Sequence, residues 1–181
     1  MKISKLGLVF LVSLVIIAGL PFGVNYCFTC NSLNVQSNLD KIKRNMYFAM
    51  SDSQGRHEKA LELRSKMQSL PDNEIFEFED AINSMRDSAT DITWAYSFIA
   101  SIENIEHLYR GKKKNINDIY ANIALLYSTN QRNINNMLVL KNTISNIEMK
   151  KYCEEVYTDC YWVNVMLLSL IKSLEKCIHR P

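Results

Sequence analysis

Apolar residues recur every three or four positions along almost the whole of this chain, and that spacing marks one face of an α-helix. Val35, Leu39, Ile42, Met46 and Ala49 form the first stripe. Ser51 to Gly55 interrupts it, and a shorter stripe follows at Ala60, Leu63, Met67 and Leu70. Pro71 stops one helix and Asp72 caps the next. Ile75, Phe78, Ile82, Met85, Ala89, Ile92, Tyr96 and Ile99 continue the pattern, and Ile102, Ile105 and Tyr109 extend it to Gly111. Ser88 or Thr90 is where this stripe divides if it is two helices rather than one. A third stripe runs Ile116, Ile119, Ile123, Leu126, Asn130, Asn133, Met137, Leu140, Ile144, Ile147. Its polar centre predicts a turn from Ser128 to Asn133, because two buried Asn side chains need partners the sequence does not display. The fourth is Cys153, Val156, Cys160, Val163, Leu167, Leu170, Leu174, Cys177. No window alternates at the strand period. With 5 Gly and 3 Pro in 181 residues, strand punctuation is scarce. The expected fold is all-α: a bundle of four main helices with one or two short extra helices, after an N-terminal signal or anchor helix.

The N-terminal segment reads as an export signal. Lys2 and Lys5 precede an apolar stretch from Leu6 to Val24, broken in its last third by Gly19, Pro21 and Gly23. The apolar helix proper, Leu6 to Ala18, has signal-peptide length and falls short of a span of about 20 residues. Cleavage is expected between Gly19 and Cys27; the alternative is retention as an anchor. Residues 1–26 are thus leader or anchor, and 27–181 the bundle domain. Lys2 and Lys5, taken from 21 basic residues, leave 19 against 19 acidic ones. A body with no net charge gives nucleic acid no electrostatic footprint, and a membrane is a partner only if the leader stays.

Five cysteines remain: Cys27, Cys30, Cys153, Cys160 and Cys177. Export makes all five disulfide candidates, and the odd count leaves one over. Cys153 and Cys160 lie seven residues apart, which on one helix is a rise of about 10.5 Å, beyond disulfide reach. Cys27-Phe28-Thr29-Cys30 has redox spacing, but it adjoins the leader instead of a strand-to-helix turn.

Catalysis has little to stand on. His57, His107 and His179 have no partner at triad or ligand spacing beyond Glu103 and Glu106 near His107, and they read as surface helix positions. Glu74, Glu77, Glu79 and Asp80 suit a helix N-terminus without further purpose. Lys112 to Lys114 read as a solvated loop. No phosphate loop, nucleophile elbow or second Cys pair for zinc is present. The chain is expected not to be an enzyme and to need no metal or cofactor.

In the fourth stripe stands Tyr157-Thr158-Asp159-Cys160-Tyr161-Trp162-Val163-Asn164-Val165. It resembles the last-helix signature of type I interferons, Tyr-Ser-x-Cys-Ala-Trp-Glu-x-Val. Tyr157, Cys160, Trp162 and Val165 match, and Thr158 stands for Ser; Tyr161 and Val163 depart. Trp94, the other tryptophan, falls where the family often has one, at the start of its third helix. The family's usual disulfide partners are absent: Leu108-Tyr109-Arg110 stands at one such place.

The resemblance implies a secreted helical cytokine that binds cell-surface receptor ectodomains through its first helix, the following loop and its last helix. The charged candidates there are Lys41, Lys43, Arg44, Arg56 and Lys172. It also implies a bond from Cys160 to another segment; the expectation is one long-range bond from Cys27 or Cys30 to Cys160 or Cys177, with a buried Cys160 thiol as the alternative. Cytokine bundles run up-up-down-down with long crossovers. The rival reading is a membrane-tethered periplasmic or cell-surface bundle, acting as adaptor, sensor or immunity-type binding protein. Val163–Ile171 is too short for the second span a sensor would need. A third reading, an exported thiol oxidoreductase, rests on Cys27 and Cys30 alone.

Overall fold

The computed structural model describes the backbone of residues 5–67, 72–102 and 113–178, and side chains from 36–67, 74–102 and 116–175. The described residues form four α-helices: α1 Lys5–Lys66, α2 Asp72–Ser101, α3 Lys113–Thr143 and α4 Ile147–Ile178. Among the described residues there is no strand, and from residue 36 onward no helix is long and apolar enough to cross a membrane. The expectations placed on the leader, on Cys27, Cys30 and Cys177, and on His107 and His179 lie outside the described side chains.

The three–four stripes become the core. Leu39, Ile42, Met46, Ala49 and Ala60 of α1 meet Phe78, Ile82, Met85, Ile92 and Ile99 of α2. Ile123 and Met137 of α3 and Val156, Val163, Leu167, Leu170 and Leu174 of α4 close the other half. Each of these lists steps by threes and fours or their sums, so every helix turns one face inward.

Side-chain bonds between helices fix the direction of each. Lys43 reaches the Ile102 carbonyl, Gln54 reaches Thr93, and Arg64 reaches Glu79. Numbers rise on α1 as they fall on α2, so the two are antiparallel. Asn38 with Ser169 and Arg56 with Glu155 make α1 and α4 antiparallel too. Tyr120 with Glu175, and Asn130 with Asn164, do the same for α3 and α4. The bundle therefore runs up-down-up-down. α2 and α4 touch across its diagonal, so α4 packs against all three other helices.

This order differs from the one the interferon resemblance implies. A crossover along a helix as long as α2, 30 residues, must cover about 45 Å. The connections are residues 67–71, 102–112 and 144–146. Even the longest, fully extended, spans only about 40 Å.

Three interruptions read from the sequence are absent. α1 passes through Ser51–Gly55, α2 through Ser88 and Thr90, and α3 through Ser128–Asn133. Ser88 and Thr90 turn their hydroxyls back to the carbonyls of Ser84 and Arg86, at 2.8 and 2.9 Å, so neither competes with the helix ladder. The true break comes later, at residues 144–146. There Asn146 Oδ1 accepts the Met149 amide at 2.9 Å and caps α4. Ile147, placed on the third stripe, is instead 85% exposed at the start of α4.

Gly55 is a helical position with nothing within 4 Å of where a Cβ would sit. Gly55→Ala is expected to raise stability by about 0.5–1 kcal/mol, through lost freedom of the unfolded chain. A chemical denaturation midpoint that falls would contradict this.

Candidate functional site

A second stripe runs beside the core stripe on α1: Asn38, Lys41, Asn45, Phe48 and Asp52. On α4 its counterpart is Asp159, Trp162, Met166 and Ser169. Each sits one helical position from a core residue, so where α1 and α4 pack, these side chains form the walls of an open groove of about 460 Å³. Phe48 is 63% exposed and Trp162 57%, with Val165 beside them. Tyr47 and Tyr161 extend the aromatic surface in edge-to-face contact with Phe48 and Trp162. Contiguous exposed aromatics of this kind mark a contact surface. The groove is open along its side, a shape that receives another protein's side chains better than it encloses a small molecule.

Its polar ends differ in sign. Lys41 stands at one end, and Asp52 and Asp159 at the other. Arg56 joins α1 to α4 at the acidic end: Nε donates to Glu155 Oε2 at 3.0 Å, and the guanidinium also pairs with Asp159. Burial pushes the Asp159 carboxyl up to about 6, Asp52 and Glu155 add to the rise, and Arg56 opposes it. That value lies above the ordinary 3.8, so the folded protein holds this proton more tightly than the unfolded chain. The contribution is full below the unfolded pKa and is lost as pH rises through about 6. Asp159→Asn is expected to remove a stability decline on the order of 1–3 kcal/mol across that interval. A decline of equal size in the variant would assign it to another group.

The predicted contact residues do not gather into one cluster. Lys41 is exposed in the groove. Arg44 and Lys172 are exposed, and neither lines it. Lys43 is a structural residue whose ammonium donates to the Ile102 carbonyl at 2.6 Å. Arg56 is largely covered and committed to Glu155 and Asp159. Of the motif residues, Tyr157 packs under the Lys141 ammonium at 3.9 Å. Cys160 is buried. Trp162 is a surface aromatic in the groove. Trp94 is 68% exposed in a smaller cleft between α1 and α2, beside His57 and Arg86. Burial and the nearby Arg86 hold the His57 imidazole below its ordinary pKa.

Phe48 and Asp52 are groove residues that no motif in the sequence marks. The signal was present as a second three–four stripe, offset by one residue from the core stripe on both α1 and α4.

Cys153 and Cys160 are both free thiols. Burial pushes each up to about 12; the Ser88 hydroxyl beside Cys160 pulls weakly the other way. Of the expected long-range bond, the arm to Cys160 is not formed, and the arm to Cys177 lies outside the described side chains. Neither buried thiol is expected to react with iodoacetamide in the folded protein, while both should react once it is unfolded. Labelling of Cys160 at the rate of a free cysteine would refute its burial.

Among the described residues no group of three His, Cys, Asp or Glu side chains is placed to hold a metal ion. No family model, no curated protein and no solved structure matches the chain.

Proposed function

We propose that this chain is an exported, non-enzymatic helical bundle that works by binding another protein through the α1–α4 groove. The observation that carries this reading is the open aromatic surface of Phe48 and Trp162 between oppositely charged ends. The apolar leader supports export, and the uncharged balance of the body suits a protein partner better than a polyanion. The interferon-like reading shares the use of first and last helices. Its helix order does not match, so a receptor-bridging cytokine is the less favoured form. An adaptor, sensor or immunity-type binding protein, secreted or tethered by the leader, is the form the antiparallel bundle favours. Since α1 and α4 are antiparallel, a bond from Cys27 or Cys30 would run to Cys177 in this reading.

Site-specific photocrosslinking tests the proposal. A photoreactive residue at Phe48 or Trp162 is expected to capture a partner from the exported compartment, while one at exposed Val139 on α3 captures none. Equal capture from all three positions would sink the groove as the binding face. The intact mass of the exported chain, with or without Met1 to Ala18, distinguishes the secreted from the tethered form.

A further inference from the structure

The charge pattern of the groove is self-complementary, and we propose that its occupant is a second copy of this chain, packed antiparallel across a two-fold axis perpendicular to the helices. The proposal rests on the reading of the groove as a binding face. Lys41 and Asp52 are eleven residues apart on α1. At 100° per residue they return to the same side of the helix, about 16 Å apart. Phe48 stands near the midpoint between them. Trp162 lies at a similar level on α4, between the Asn38–Ser169 and Arg56–Glu155 contacts.

A two-fold axis through that aromatic level lays α1 on its own copy with direction reversed. Lys41 of each chain then faces Asp52 of the other, and Phe48 and Trp162 meet their own copies at the centre. The interface is isologous, as two-fold symmetry requires. The other face-to-face two-fold runs along the bundle and sets α1 against the copy's α4 at the same level. Asp52 would then face the copy's Asp159, whose charge Arg56 already shares with Glu155, and Lys41 would have no acidic groove residue opposite it. Buried aromatics supply affinity in such a contact, while exposed charges mainly select orientation. The antiparallel pair sends its two N-terminal segments in opposite directions. Two copies tethered in one membrane cannot form it, so the assembly belongs to chains released from the leader.

Light scattering on the purified exported protein should give twice the mass of one chain, falling to one chain on dilution. Trp162→Ala should weaken the association by about thirtyfold, the scale of an interface hot spot. Lys41→Glu and Asp52→Lys should each weaken it, and the double exchange should restore it. Both positions are exposed, so helix content by circular dichroism should not change. A single-chain mass at every concentration overturns the proposal, as does a dimer indifferent to Trp162→Ala. Failure of the double exchange to recover the dimer overturns the antiparallel arrangement. A single-chain particle that still crosslinks a different protein from Phe48 overturns this proposal and leaves the groove's role as a binding face intact.

Discussion

Leu167→Ala is expected to lower the unfolding free energy by roughly 2–5 kcal/mol, near the top of what one substitution in a domain of this size does. Leu167 is fully buried and belongs to the single core cluster. It sits on α4, which contacts each of the other three helices. A cavity left there cannot be closed by moving one neighbour, because any shift of α4 toward one helix opens a gap toward another. The loss should therefore approach the uncollapsed limit, where the cavity term adds to the lost transfer energy. Leu170, equally enclosed, should behave alike. Urea unfolding followed by circular dichroism measures the effect, and a loss below about 1 kcal/mol would place these leucines outside a tightly packed core.

The core was legible because burial and helix geometry impose the same period. Leu39, Ile42, Met46, Phe78, Met85, Leu167 and Leu170 all stand on stripes visible in the sequence, and all are buried. Helix ends were less legible. Ser51–Gly55 and Ser128–Asn133 are polar stretches, and polarity is a local signal for a turn. In the bundle they remain helical because tertiary packing and cross-helix partners outweigh weak propensity. Asn130 and Asn133 illustrate why this was hidden. Their partners, Asn164 and Asp91, are 34 and 42 residues away, so only the folded arrangement shows where their amide donors go. The groove had a readable pattern, an offset second stripe on α1 and α4. Its significance depends on those two helices being neighbours, a fact of topology and not of periodicity. Helix direction is equally a property of the assembled bundle, and the local likeness around Trp162 carried no information about it.

The second large effect concerns the polar layer at mid-height of the core. Asn130 is 2% exposed. Its amide donates to Asn164 Oδ1 at 2.9 Å and to the Cys160 carbonyl at 2.6 Å. Asn164 in turn donates to Gln131 Oε1 at 2.9 Å. The Asn130 oxygen, by contrast, is buried with no partner among the described residues. Asn164→Leu removes the acceptor for one Asn130 donor and keeps the orphaned oxygen in an apolar site. It should cost about 1–3 kcal/mol per stranded group. Gln131 is half-exposed, so water replaces its lost partner. The Cys160 carbonyl is already within the α4 ladder and tolerates loss of the Asn130 amide. Replacing both residues, Asn130→Leu with Asn164→Leu, should therefore cost much less than the sum of the single changes. It should even match the parent, since it removes a buried oxygen that nothing among the described residues satisfies. The Asn pair then contributes position more than stability: it allows α3 and α4 to engage at one height only, where an apolar seam would permit a slip of one turn. The double variant should accordingly keep its helix content while its amide spectrum broadens. A double variant destabilised by the full sum of the singles, with sharp resonances, would show that the pair stabilises the bundle outright and that its register is held elsewhere.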